Sequence, residues 1–146
     1  MDFEIDPRVR GSFERQGFMR HIGARLLHAK AGRCVMETDW SQDLTQQHGY
    51  FHAGVVTTIA DSAAGYAAFS LMPPGSSVLS IEFKVNLIAP ANGQRLLARG
   101  RVIRSARTIT VCSMEVEVER DGVRTVCMVG QGTLMCLVGT ADRPAG

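Results

Sequence analysis

The sequence has no excess of charge of either sign. Lysine plus arginine come to 16 and aspartate plus glutamate to 14, a formal net charge of +2. That balance excludes a strongly basic nucleic-acid surface or an acidic tail as the organising feature. The chain also lacks a C-x-x-C pair. Its four cysteines, Cys34, Cys112, Cys127 and Cys136, fall on predicted strands with no histidine at ligand spacing. Zinc is therefore not expected, and the thiols read as buried groups in a reducing cytoplasm. There is no unbroken apolar run of membrane length, because the most apolar stretch, "GYFHAGVVTTIADSAAGYAAFSLM" at 49–72, is interrupted by Thr57, Thr58 and Asp61. The opening "MDFEID" is acidic where a secretion signal needs positive charge and an apolar run. Neither nucleic acid nor a membrane is expected as a partner, and repeats and low-complexity segments are missing.

What is there suits one α+β domain, since 146 residues fill one core and not two. "PRVRGSFERQGFMR" at 7–20 predicts a short amphipathic helix with Val9, Phe13 and Phe18 near one side, weakened by Gly11 and Gly17. "ARLLHAKAGRCVMETDW" predicts two strands joined at Ala31-Gly32, followed by the polar loop "SQDLTQQHG". The apolar stretch then reads as one long helix that ends near Pro73 and Pro74, which cannot continue it. It is apolar almost all round, through Val55, Val56, Ile59, Ala60, Ala63 and Ala64 onward, as a buried helix is.

After the prolines the period changes to two. In "SVLSIEFKVNLIA", Leu79, Ile81, Phe83, Val85 and Leu87 fall on one face, and Ser80, Glu82, Lys84 and Asn86 on the other, which predicts a half-buried strand. "QRLLARGRVIR" and "RTITVCSMEVEVER" alternate similarly, and "RDGV" is a two-residue hairpin turn into "RTVCMVGQGTLMCLV". An antiparallel sheet of five to six strands wrapped around the long helix satisfies both patterns. The core is expected over about 20–138, with the tail 139–146 disordered.

Asp61 is the one carboxylate in the long helix, and a charge in an apolar setting is costly unless it is paired. Two readings are open. It bonds locally to Thr57 or Thr58 one turn earlier, or it faces a cleft and acts on water or substrate as a base or nucleophile. Just before it, "HAG" puts Ala53 and Gly54 at the helix start, where free backbone N–H groups and the positive dipole end suit an anion or a polarised carbonyl. The alternative there is an ordinary helix start with a tight entry. His21 and His28 have no partner in the sequence and read as surface residues.

These residues carry a resemblance. "FHAGVVTTIADSAAGYAA", with "SSVLSIEFKVNLIAPANGQRLLARGRVI" and "RTITVCSMEVEV" after it, resembles the hotdog-fold acyl-CoA thioesterases of the phenylacetate-pathway (PaaI-like) type, over residues 20–137. That family starts its central helix with H-G-G and has an Asp nine residues after the His. The resemblance implies a thioesterase that hydrolyses an acyl- or aryl-CoA and needs no metal or redox cofactor. It makes Asp61 the catalytic carboxylate, the Ala53 N–H helped by Gly54 the oxyanion hole, and His52 the residue that orients that turn. Gln46, six before the His, matches an Asn that holds the water or the carbonyl, and Ser80 matches a hydroxyl that assists the Asp. Two departures stand out: Ala53 replaces the first motif Gly and keeps its N–H, whereas Gln46 is longer than Asn.

Asp61 lies eight residues from Ala53, about 12 Å along a helix. One carbonyl cannot touch both within one chain, so the constellation asks for a second copy, a homodimer or homotetramer with sites at its interface, as the resemblance also implies. Tyr50, Phe51, Tyr66 and Phe69 are expected to set the depth of the acyl pocket. Lys84, Arg101, Arg104 and Arg107 either meet the phosphates of coenzyme A or form a solvated sheet edge. One rival is a protein of the same fold that binds acyl-CoA without turnover, against which the set Asp61, His52 and Gln46 counts. The other is a hydratase, which pairs Asp and His on the helix, and no His follows Asp61 there.

Overall fold

The computed structural model describes residues 3–143. Its elements run α1 (Pro7–Arg15), α2 (Gly17–His21), β1 (Arg25–Lys30), β2 (Arg33–Asp39), a single 3-10 turn (Gln42–Leu44), α3 (Ala53–Phe69), β3 (Ser76–Leu87), β4 (Arg95–Ser105), β5 (Ile109–Arg120) and β6 (Val123–Val138). The six strands form one sheet in the order β1-β2-β4-β5-β6-β3, with every pairing antiparallel. The sheet wraps α3, as the two periodicities require. Among the described residues no helix is long and apolar enough to cross a membrane.

Turn chemistry sets the hairpins. Ala31 and Gly32 join β1 to β2 at φ 51° and 77°, and Asp121 and Gly122 join β5 to β6 at 53° and 80°, the paired left-handed residues of the turn that matches strand twist. Ile59 on α3 and Leu96, Val116 and Leu134 on the sheet are all but inaccessible to solvent, each contributing about 1.5–3 kcal/mol by burial. Helix and sheet meet closest at Gly100, where a Cβ would lie 2.3 Å from the Ala63 carbonyl oxygen. All four cysteines are buried and unpaired. Burial pushes the Cys34 thiol up, and pushes Cys112 up to about 12 and Cys127 up to about 11.

Two expectations need correction. The predicted helix over 7–20 is two helices, because Gln16 is extended (φ −77°, ψ 106°). The break resets the phase, so Val9 and Met19 are buried while Phe18 is 55 % exposed. Phe13 packs edge-on against the Tyr66 ring at 6.2 Å. The Asp6 side chain caps α1 by accepting from the Arg8 N–H at 2.8 Å, and the hydrogen-bonded Arg8 guanidinium holds its carboxyl below the usual range.

The second correction concerns β3. A bulge between Ser80 and Glu82 shifts its register: Ser80 lies opposite Leu134 and Phe83 opposite Gly132. Opposed residues share a face of an antiparallel pair. Ser80 thus turns to the helix side with Phe83, while Leu79, opposite Met135, points away. Nor is the strand half buried, for Leu79, Ile81, Phe83 and Leu87 are 41–56 % exposed. β3 is an outermost strand, and its free edge is uncovered. The other edge is protected, since residues before α1 run beside β1: the Asp6 N–H donates to the Ala29 carbonyl at 2.8 Å, and the Ala29 N–H to that of Glu4 at 2.9 Å. Of the tail, Asp142 meets Arg15 at 2.8 Å, and residues 144–146 lie outside the described residues.

Candidate active site

α3 is not apolar all round. Ala53, Gly54, Thr57, Thr58, Asp61 and Ser62 recur at helical spacing as a stripe that stays accessible, while most of the remaining helix is buried. Asp61 sits in that stripe. Its carboxylate accepts a hydrogen bond from Ser80 Oγ at 2.6 Å, nineteen residues on in sequence. Among the described residues, neither Thr57 nor Thr58 donates to it. The β3 bulge is what aims Ser80 at the helix.

The pair opens into a small polar pocket of about 180 Å³, shared with Ser12, Gln16, Gly65 and Tyr66. Tyr66 has its ring buried and only its hydroxyl engaged, with Ser12 Oγ at 3.1 Å and with Gln16 Nε2, which donates at 2.7 Å. Burial raises the pKa of its phenol. Ser12 and Gln16 are missing from the candidates drawn from the sequence. Their segment is read there as a short amphipathic helix through Val9, Phe13 and Phe18 alone.

The helix start is built around His52. Its Nδ1 accepts from the Gly54 N–H at 2.8 Å, and its own N–H donates to the Leu44 carbonyl at 2.9 Å. A side chain at Gly54 would displace this cap, because a Cβ there would lie 2.9 Å from His52 Nδ1. The Gly54 N–H is thereby occupied, and the Ala53 N–H has no acceptor among the described residues. Ala53 lines a cleft of about 510 Å³ with Gln46, Tyr50 and Phe51, faced by Leu87 and Ile88. Gln46 is held by its loop: Oε1 accepts from the His48 N–H, and its backbone N–H donates to the Tyr50 carbonyl at 2.9 Å.

The structure therefore gathers the sequence candidates into two groups. Gln46, Tyr50, Phe51 and Ala53 line the cleft at the start of α3, where His52 caps Gly54, and Asp61, Tyr66 and Ser80 meet in the smaller pocket two turns along. Ala53 lines the first of these cavities and Asp61 the second, and neither of the two contains both. Lys84 donates to Asn86 Oδ1 at 2.6 Å, and Arg104 and Arg107 lie exposed near the β4–β5 turn. None of these three lines either pocket. His21 is exposed, and His28 Nδ1 accepts from the Glu4 N–H at 3.2 Å. Among the described residues no group of three or more His, Cys, Asp or Glu is placed to hold a metal ion.

Comparison with known proteins agrees with this architecture. A family model described as "Thioesterase superfamily" matches residues 48–126, from the loop before α3 into β6. A solved thioesterase family protein from Silicibacter pomeroyi is 45 % identical with a TM-score of 0.89, covering 90 % of this chain and 97 % of that one. The 1,4-dihydroxy-2-naphthoyl-CoA hydrolase of Listeria monocytogenes is 23 % identical over 105 residues, 72 % of this chain and 85 % of that protein. The E. coli PaaI protein from the phenylacetic acid degradation operon shares the fold at a TM-score of 0.79 and 17 % identity, covering 92 % of this chain and 94 % of that one. A six-stranded antiparallel sheet closed around one long helix, matched by the family model over more than half of its length, makes this chain a member of the thioesterase superfamily with the hotdog fold.

Proposed function

We propose that the protein hydrolyses an acyl- or aryl-CoA thioester to the free acid and CoA, at a site shared by two copies of the chain. The observation that carries the reading is the Asp61 carboxylate, accessible in the open stripe of a largely buried helix and bonded by Ser80 Oγ at 2.6 Å. The substrate class draws support from the CoA-hydrolase name of the Listeria relative.

In this reading the thioester oxygen accepts from the Ala53 N–H at the positive end of α3, which stabilises the charge that develops on it. His52 keeps that turn in shape by capping Gly54. Asp61 of the second copy, oriented by Ser80, takes a proton from water as the water oxygen adds to the carbonyl carbon, or adds to that carbon itself, expels the thiolate to give a mixed anhydride, and is freed when water hydrolyses that anhydride. The C–S bond breaks, the sulfur leaves with the electron pair and is protonated, and the acid departs. Gln46 hydrogen-bonds the water or the carbonyl, and Tyr50, Phe51 and Tyr66 hold the acyl group.

Three observations favour two copies. Ala53 and Asp61 stand about 12 Å apart along one helix, the accessible stripe of α3 lies open, and β3 offers an unpaired apolar edge to which another strand can add. Buried, unpaired thiols suit a reducing cytoplasm.

The test is thiol release from a panel of short, long and aromatic acyl-CoAs. Asp61→Asn should lower turnover of the best substrate on the order of 10²-fold or more with an unchanged circular dichroism spectrum. Near wild-type turnover in that variant overturns the catalytic assignment. A wild-type protein that binds acyl-CoA yet releases no thiol from any of the panel is a binding protein and not a hydrolase.

A further inference from the structure

Beside the cleft at the start of α3 lies another pocket, of about 400 Å³, lined by Trp40, Gly49, Asn92, Gly93, Gln94 and Arg120. The two adjoin along both walls. Gly49 and Tyr50 are neighbours in the chain, as are Ala91 and Asn92, and each pair puts one residue in each cavity. Trp40 is the only tryptophan of the protein and is 44 % exposed.

This wall is rigid. The Trp40 indole Nε1–H donates to the Gly49 carbonyl at 3.0 Å, and its backbone N–H donates to the Gln94 carbonyl at 2.7 Å. Gln94 is tied in turn to the β5–β6 hairpin, its Nε2 donating to Asp121 Oδ1 and its Oε1 accepting from the Asp121 N–H, both at 3.0 Å. Arg120 stands at the rim, its guanidinium 3.8 Å from the Asp121 carboxylate.

We propose that this pocket takes the adenosine 3′-phosphate end of coenzyme A, with the purine stacked on Trp40 and a phosphate bonded by Arg120. The inference rests on the CoA-thioesterase reading. An aromatic side chain holds a base through its π-face, and the planar guanidinium fork matches phosphate oxygens. The reach also fits. Ala53 lies four residues beyond Gly49, at most about 14 Å of extended chain. The pantetheine arm, from the thioester sulfur to the first phosphate oxygen, contains as many covalent links as four residues of main chain. A thioester at Ala53 can therefore place its first phosphate at the mouth of the Trp40 pocket. The assignment moves the phosphates away from Arg104 and Arg107, which lie at the other end of β4, about 30 Å from Arg95. It also favours free CoA over pantetheine carried on a protein, which has no adenosine.

The single tryptophan supplies the assay. Adenosine 3′,5′-bisphosphate should quench its fluorescence saturably in the wild-type protein, and Arg120→Ala should weaken that binding roughly ten-fold. The ratio of kcat/KM for an acyl-CoA to that for the same acyl group on pantetheine should fall about ten-fold in Trp40→Ala and in Arg120→Ala, and stay at the wild-type ratio in the Arg104→Ala/Arg107→Ala double variant. Trp40→Phe, which keeps a ring face, should fall between. Absence of saturable quenching overturns the pocket, and so does a loss of CoA preference in the Arg104/Arg107 variant instead of the Arg120 variant. Quenching without hydrolysis of either thioester supports the pocket and overturns the hydrolase. Hydrolysis of both thioesters without quenching does the reverse.

Discussion

Ser80 acts on Asp61 through one hydrogen bond, so its removal separates positioning from chemistry. Ser80→Ala should lower kcat about ten-fold, the order expected for one hydrogen bond to a charged group, well short of the Asp61→Asn loss and with little change in KM. A kcat equal to wild type would leave Ser80 a structural neighbour only. Asp61 stood out in the sequence because no other residue of its helix is charged at neutral pH. Its contact with Ser80 was not legible by counting, since strict alternation put Ser80 on the wrong face and only the bulge between Ser80 and Glu82 brings it round. Phe18 failed similarly, through the extended Gln16 that no periodicity announces. The thiols give a second expectation at this scale. The folded state holds Cys127 and Cys112 protonated up to about 11 and about 12, above the ordinary thiol value near 8.5. Their contribution to stability is therefore complete below that value and is lost as pH rises through 11 to 12. Urea midpoints measured from pH 8 upward should fall, and replacing Cys112 and Cys127 with Ala should flatten that fall.

At the scale of elements, the closest join is α3 on β4. Gly100 lets the helix backbone at Ala63 approach, and a methyl group there has backbone on the far side that cannot move aside. Gly100→Ala should destabilise the protein by about 1–3 kcal/mol, read as a lower thermal midpoint, and Gly23→Ala would not be an equivalent control because Gly23 has φ 67°. An unchanged midpoint would show that helix and sheet can separate freely. The hairpins were legible from residues such as Asp121-Gly122, whose preferred backbone is the turn itself. The accessible stripe on α3 was less so, because Gly54, Thr57 and Thr58 are small or weakly polar and vanish into an apolar average. They define a face only once the sheet has covered the rest.

At the scale of the whole molecule, the proposed sharing of Asp61 between copies has an arithmetical consequence. Asp61→Ala removes the carboxylate, and Ala53→Pro removes one N–H at a helix start where proline is tolerated. Either variant alone should be nearly inactive. A mixed dimer has one site with both defects and one site with neither. Random exchange makes about half of the dimers mixed, so co-refolding should restore about a quarter of wild-type activity. Mixed dimers that are demonstrably present yet inactive would show that each site is contained in one chain.

The strand order carries one more consequence, for the making of the chain. β3 is the third strand to be synthesised, yet it pairs only with β6, the last. While β4 and β5 emerge, the segment with Leu79, Ile81 and Phe83 has no neighbour, and α3 has an incomplete wall. Such long-range closure makes folding slow and leaves apolar strand exposed to other chains. Glu82 and Lys84 sit inside that segment, where charge discourages chance pairing. Two residues of β3 that neither pocket of the proposed active site includes thus stand where charge lowers the risk of chance pairing before β6 arrives.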